Sequence, residues 1–182
     1  MELDLLDLYT RASAWTLTKV SGAVSQLDEP TTCEPWTVRT LLNHMLLVQS
    51  AFVAHARGEG FSLSLEEDPP DVLTDDPYAD FERARAEALR VFGKPGVVER
   101  TGTNLGNIFG DQLLHGWDLA VSTGQDPTMP GGLPEAAYAL VLGAFTEEGR
   151  KGVLKPEVSV AAEASAQERL LAYSGRDPSP GA

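Results

Sequence analysis

Apolar residues recur at steps of three and four along most of the chain, which is the spacing of one face of an α-helix. The pattern predicts four long helices, over residues 3–27, 37–57, 76–92 and 105–122. The second opens at a threonine and the third at an aspartate that precedes a proline, and both are common ways to begin a helix. Glycines follow the ends of both helices, where they commonly terminate helical structure.

The last third of the chain carries weaker signals. A fifth helix, opened by a proline, is predicted over residues 134–146. Residues 153–160 alternate weakly between apolar and polar, which allows a short strand. Ser165 and Glu168 have the spacing of a capping box, which predicts a final short helix ending near Tyr173.

The stretch 59–75 is acidic, contains prolines and lacks helical periodicity, so we interpret it as a long crossover loop. Four long helices, two of them joined by such a loop, predict an all-α bundle with a crossover connection. The length of the chain and the lack of a linker predict a single domain over residues 1–182. Gly102, Gly106 and Gly110 recur every four residues, which favours close helix packing.

Charge narrows the classes of partner. The chain carries 27 acidic and 14 basic residues, for a formal net charge of −13. Binding to nucleic acid or to an anionic membrane needs clustered Lys and Arg, so neither is expected. No signal peptide or membrane-spanning run is recognised. The single cysteine excludes an internal disulfide, and a cytoplasmic location is the default expectation.

Two of the three histidines, together with an aspartate, provide the chemistry that we can assemble from this sequence. Asp111 and His115 are four residues apart in a predicted helix, so both point from the same face. His44 adds a second imidazole from another helix. Two imidazoles and a carboxylate with a vacant fourth position are the composition of a reactive divalent-metal site. His55 lies about 16 Å from His44 along one helix, too far to share an ion.

Each of these residues also has a simpler interpretation. A helical histidine is commonly a hydrogen-bonded core or surface residue, and Asp111 also suits the dipole at a helix start. Asp118 lies one turn beyond His115 and fits a fourth ligand, an acceptor that orients an imidazole, or a cap or salt-bridge residue. Cys33 is interpreted as a small packing residue, because it lies too far before the second helix to be activated by its dipole.

Three segments of the chain resemble a known family. Residues 31–44, which read TTCEPWTVRTLLNH, are similar to the first signature of the DinB/YfiT-like metalloprotein superfamily. More narrowly, they resemble the branch that contains mycothiol-dependent maleylpyruvate isomerase. The second signature corresponds to DQLLHGWDLA at residues 111–120 followed by TGQ, and residues 169–178 are similar to the ending of single-domain relatives.

This resemblance implies a four-helix bundle in up-down-down-up order, with extra C-terminal helices. It also implies that His44, Asp111 and His115 hold a divalent metal ion, with Zn and Ni both suited to such ligands. Many relatives have His or Glu at the position of Asp111, whose shorter side chain must lie closer to an ion or bind it through water. The isomerase itself carries a further C-terminal domain, whereas about sixty residues follow the predicted fourth helix in this sequence.

The leading functional hypothesis is therefore a metal-dependent transferase or isomerase that uses mycothiol or another low-molecular-weight thiol. The metal would activate the cofactor thiol toward a small electrophilic substrate. One alternative is a non-catalytic metal- or ligand-binding module, with a homodimer left open. Another is a metal–water hydrolase, for which Asp118 would be the only carboxylate base nearby.

Overall fold

The computed structural model describes residues 4–63, 68–144 and 154–179, without the side chains of residues 141–144. The chain divides into two compact units, Met1–Thr128 and Met129–Ala182. A single domain over residues 1–182 stays a prediction. The helices of the first unit are α1 (Leu5–Ala23), α2 (Val38–Arg57), α3 (Pro77–Phe92), α4 (Val97–Thr101) and α5 (Asn104–Ser122). Those of the second unit are α6 (Leu133–Ala144) and α7 (Ala166–Tyr173).

The all-α class predicted from the sequence is confirmed over the described residues, which contain no β-strand. The predicted strand at 153–160 is wrong for residues 154–160, whose backbone is irregular, while residue 153 lies outside the described residues. Helix α1 ends at Ala23, short of residue 27, and α4 was not predicted. The predicted end of the fifth helix, at residues 145–146, also lies outside the described residues. Within the described residues, no helix combines the length and apolar character needed to cross a bilayer.

Side-chain caps fix where the helices begin. The Thr37 side chain accepts a hydrogen bond from the backbone N–H of Thr40, and the Asp76 side chain accepts one from Ala79. Ser165 and Glu168 form the reciprocal capping box that their spacing predicts. Each cap satisfies an N–H group that has no partner within the helix, so these starts are determined locally.

The four long helices of the first unit contact one another in a ring. Helix α1 packs against α5 and α3, and α2 packs against α3 and α5. Apolar side chains from all four helices meet in one fully or nearly fully buried cluster: Val20, Ala23, Val38, Leu41, Leu42, Met45, Leu46, Phe81 and Leu119. Burial of this cluster is the main force that holds the helices together.

Contacts along the helices give their relative directions. Thr16 in α1 donates to the carbonyl of Gln112 in α5 at 2.8 Å, and the carbonyl of Lys19 accepts from Gln125, just beyond α5, at 2.9 Å. Residue numbers therefore rise together, so α1 and α5 are parallel. In α3, Arg85 Nε donates a hydrogen bond to the Ser13 hydroxyl of α1 at 3.0 Å.

The remaining pairs follow from similar contacts. Phe81, before Arg85 in α3, shares its buried cluster with Val20, which follows Ser13 in α1, so α1 and α3 are antiparallel. In the first half of α2, His44 Nε2 lies 3.5 Å from Asp111 Oδ1 in the middle of α5. Near the end of α2, His55 lies 2.9 Å from Asn104 at the start of α5. Helices α2 and α5 are therefore antiparallel.

The segment between α2 and α3 is tied to the side of α2. The buried Asn43 amide donates to Asp71 at 2.9 Å, and its oxygen accepts from the backbone of Val72 and Leu73 at 2.8 and 3.1 Å. The hydrogen bond from Asn43, with the Arg39 guanidinium nearby, holds the pKa of Asp71 below its usual range. Residues 71–73 are thus fixed to the helix that carries His44.

The closest approach between α1 and α5 occurs at a glycine. A Cβ built on Gly116 would lie 2.6 Å from Trp15 and 2.7 Å from the Thr16 hydroxyl. The four-residue spacing of Gly102, Gly106 and Gly110 also favours close helix packing at those positions. A Cβ on Gly102 or Gly110 meets nothing within 4 Å, however. That interpretation was wrong for these two positions.

Gly116→Ala should therefore destabilise the protein by about 1–3 kcal/mol, since the added methyl group overpacks the contact with α1. The matched control is Gly110→Ala in the same helix, which adds a methyl group in open space. It should stabilise by up to about 1 kcal/mol through helix propensity. Urea unfolding of both variants measures the two changes, and equal effects would contradict the close approach.

Candidate metal centre

Two antiparallel helices place the three predicted metal ligands side by side. His44 lies in the first half of α2, while Asp111 and His115 lie one turn apart in the middle of α5. The four-residue spacing puts Asp111 and His115 on one face of α5. The packing of α2 against α5 then brings His44 to that face.

The ligand atoms of these residues are close enough for one ion. The Nε2 atoms of His44 and His115 each lie 3.5 Å from Oδ1 of Asp111. One nitrogen or oxygen of each residue lies within 4.8 Å of the others. Two ligands each about 2 Å from a tetrahedral ion are about 3.3 Å apart, which is near these separations. The structure therefore brings the three predicted residues together, and their binding of a metal stays a prediction.

The Asp111 carboxylate has one unsatisfied oxygen. Its side chain is 13% exposed, similar to the 12% and 13% of the two histidines. Among the described residues, Asp111 Oδ2 is buried and finds no hydrogen-bond partner. A buried carboxylate oxygen without a donor is unfavourable, and a cation is one way to satisfy it. The donor set thus suits a divalent ion on chemical as well as geometric grounds.

An aromatic side chain covers one side of the centre. The Trp36 ring lies 4.8 Å from the His44 ring, at an interplanar angle of 41°. The His44 and His115 rings are 5.0 Å apart and nearly perpendicular, at 82°. Trp36 also packs against the buried cluster of the first unit, so it joins His44 to that cluster.

The second nitrogen of His115 faces another carboxylate. His115 Nδ1 lies 2.8 Å from Asp118 Oδ2, and Asp118 is fully buried. The Thr32 hydroxyl donates to Asp118 Oδ1 at 2.8 Å, and the Cys33 thiol donates to Oδ2 at 3.2 Å. Of the roles that the sequence left open for Asp118, this geometry favours the acceptor that orients an imidazole.

Cys33 has polar contacts that the sequence did not reveal. It packs against the buried cluster, as interpreted, yet its sulfur also lies 4.0 Å from His115 Nδ1. Cys33, His115 and Asp118 form a second group with the atoms of a metal site. They do not form a catalytic triad, because the thiol and the carboxylate share Nδ1, whereas a triad uses the two ring nitrogens separately.

His55 stands apart from the centre, as the helical spacing predicts. Its side chain is exposed and pairs with Asn104, and the Phe61 ring contacts it at 5.7 Å. Sequence reasoning missed Thr32, Cys33 and Trp36 as neighbours of the site. The signal that could have found them is their place just before α2, in the same segment as His44.

The chain is similar over nearly its full length to proteins that have no described activity. Two uncharacterized proteins of Mycobacterium tuberculosis, MT0763 and Rv0738, are each 29% identical to this chain over 189 residues. The alignments cover 96% of this chain and 98% of each relative. No family model matches the chain. No solved structure matches it.

The two aspartates should contribute differently to stability in metal-free protein. Asp118→Asn should lower the free energy of unfolding by about 1–3 kcal/mol, because it disturbs a buried acceptor with several donors. Asp111→Asn should leave it unchanged or raise it, because it removes a carboxylate whose buried Oδ2 has no donor to lose. Chemical unfolding after chelation measures both, and equal losses would contradict these environments.

Proposed function

We propose that this protein binds a divalent metal ion between α2 and α5 through His44, Asp111 and His115. The observation that carries the proposal is the Asp111 carboxylate. One of its oxygens lies 3.5 Å from both imidazoles, and the other is buried without a donor among the described residues. Zn and Ni both suit two imidazoles and a carboxylate. We expect the fold to form without the ion, since apolar burial already joins the helices.

We further propose membership of the DinB-like bundles. The helix directions support an up-down-down-up order, because α1 and α5 are parallel while α2 and α3 both oppose them. The connection between α2 and α3 includes residues 59–75, the predicted crossover. Helices α6 and α7 correspond to the extra C-terminal helices of that proposal. The resemblance of residues 31–44 and 111–120 to the family signatures supports the same assignment.

The reaction that we propose is a transferase or isomerase reaction with a low-molecular-weight thiol, of which mycothiol is one example. A divalent ion at this centre would lower the pKa of a thiol bound at its open position. His44, Asp111 and His115 would hold that ion, and Trp36 would join His44 to the buried cluster. Cys33 lies on the Nδ1 side of His115, whereas the ligand set gathers on the Nε2 side. This supports a nucleophile that comes from the thiol and not from the protein.

The expected partners follow from this chemistry. The second substrate would be a small electrophile, and the net charge of −13 supports neither nucleic acid nor an anionic membrane as a partner. A cytoplasmic location fits a thiol-dependent reaction. The hydrolase alternative is weakened, because Asp118 is fully buried and already accepts several hydrogen bonds. A metal- or ligand-binding module without activity, including a homodimeric one, remains the competing function.

Removal of one ligand should abolish metal binding and leave the fold intact. His115→Ala should lose the ion, because a single imidazole and a carboxylate remain, while helicity and cooperative unfolding persist. His55→Ala is the matched control and should keep full metal content. Elemental analysis of tag-free protein measures the metal, and circular dichroism measures the fold. Complete unfolding on chelation would instead indicate a structural ion.

Activity should depend on both a metal and a free thiol. Cys33→Ser should retain activity, whereas Asp111→Ala should lose it, because two neutral imidazoles hold a dication poorly. The assay follows consumption of a thiol such as mycothiol in the presence of an electrophile. Loss of activity in Cys33→Ser with metal still bound would indicate that the nucleophile is Cys33 and not the added thiol. A fully loaded protein that turns over no thiol would favour the binding module.

A further inference from the structure

His115 lies between two carboxylates, one at each ring nitrogen. Asp118 Oδ2 is 2.8 Å from Nδ1, and Asp111 Oδ1 is 3.5 Å from Nε2. We propose that Asp118 is a positioning residue that keeps the proton of the neutral His115 ring on Nδ1. The Nε2 lone pair then faces Asp111 and His44. This inference deepens the proposed function, because it explains how one of the proposed ligands is made ready for an ion.

The two distances decide which carboxylate accepts a hydrogen bond from the His115 ring. An N–H group bonds a carboxylate oxygen well at about 2.7–2.9 Å, and the bond is weak by about 3.5 Å. A neutral imidazole has one N–H group, so only one of the two contacts can be a normal hydrogen bond. The N–H group therefore lies on Nδ1, where it donates to Asp118 over the shorter distance, and the lone pair lies on Nε2, on the side of Asp111.

The other contacts of Asp118 support this direction. Both Asp118 oxygens act as acceptors, since the Thr32 hydroxyl donates to Oδ1 and the Cys33 thiol donates to Oδ2. The backbone N–H of Thr32 also donates to the Ser122 hydroxyl at 3.2 Å, which fixes this loop to α5. Asp118 is thus held in place by the loop before α2, and it holds His115 in turn.

Loss of Asp118 should move the proton to the other side of the ring. The remaining carboxylate is Asp111, so the proton would move to Nε2 and occupy the position that an ion needs. Metal binding would then have to displace that proton. Partners that orient a ligating histidine typically change metal affinity by about 10–100-fold, and a loss of that size is expected here.

The test is ¹⁵N NMR of the histidine rings in metal-free protein, recorded at a pH at which the spectrum itself shows the neutral ring. Wild type should show His115 protonated on Nδ1. Asp118→Ala should shift the population toward Nε2–H, and Asp118→Asn serves if the alanine variant does not fold. Asp111→Ala is the matched control at the opposite nitrogen, and it should leave the Nδ1–H form unchanged. Cys33→Ser keeps a donor to Asp118 and should also leave it unchanged.

Zn²⁺ and Co²⁺ titration of the same proteins gives the second measurement. Asp118→Ala or Asp118→Asn should bind about 10–100-fold more weakly than wild type, and Cys33→Ser should bind normally. An Nε2–H tautomer in wild type would overturn the inference, whether or not metal binds. So would a thiolate charge-transfer band in the Co²⁺ protein that Cys33→Ser abolishes, since Cys33 would then be a ligand. Absence of metal binding alongside the expected tautomers would defeat the proposed function and leave the inference standing.

Discussion

A fully buried carboxylate must find donors within the protein, and this constraint at Asp118 joins the parts of the site. Its donors come from the loop before α2 and from His115 in α5. The loop leads directly into the helix that carries His44. A single side chain therefore links the conformation of that loop to the orientation of His115. Buried hydrogen bonds therefore position the candidate ligands, in addition to apolar packing.

Asp111 and Asp118 lie seven residues apart in α5 and have opposite environments. Asp118 accepts hydrogen bonds at both oxygens, whereas one oxygen of Asp111 is buried without a donor among the described residues. Such contrast is typical of functional sites, where a group is held ready for a ligand at the expense of local stability. The hydrogen bonds of Asp118 stabilise the arrangement of side chains in which Asp111 would bind an ion.

Local rules predicted the features of the fold and site that depend on short stretches of sequence. The caps at Thr37 and Asp76 and the box at Ser165 needed only neighbouring residues. The shared face of Asp111 and His115 needed only helical spacing. The contacts of Thr32 and Cys33 with Asp118 depend on how an irregular loop folds over α5, which no periodicity encodes. The irregular backbone at 154–160 shows the same limit, because weak alternation did not produce a strand.

Gly116 follows His115 in α5, and it lies against Trp15 of α1. A change in the depth at which α5 sits on α1 would therefore move the His115 backbone with it. In the proposed metal centre, the gap between the two imidazoles would define which ionic radius fits between them. Because α1 supports α5 at this point, size discrimination among cations at the proposed centre would depend in part on the Trp15 ring, and changes in Trp15 would alter metal preference without touching a proposed ligand.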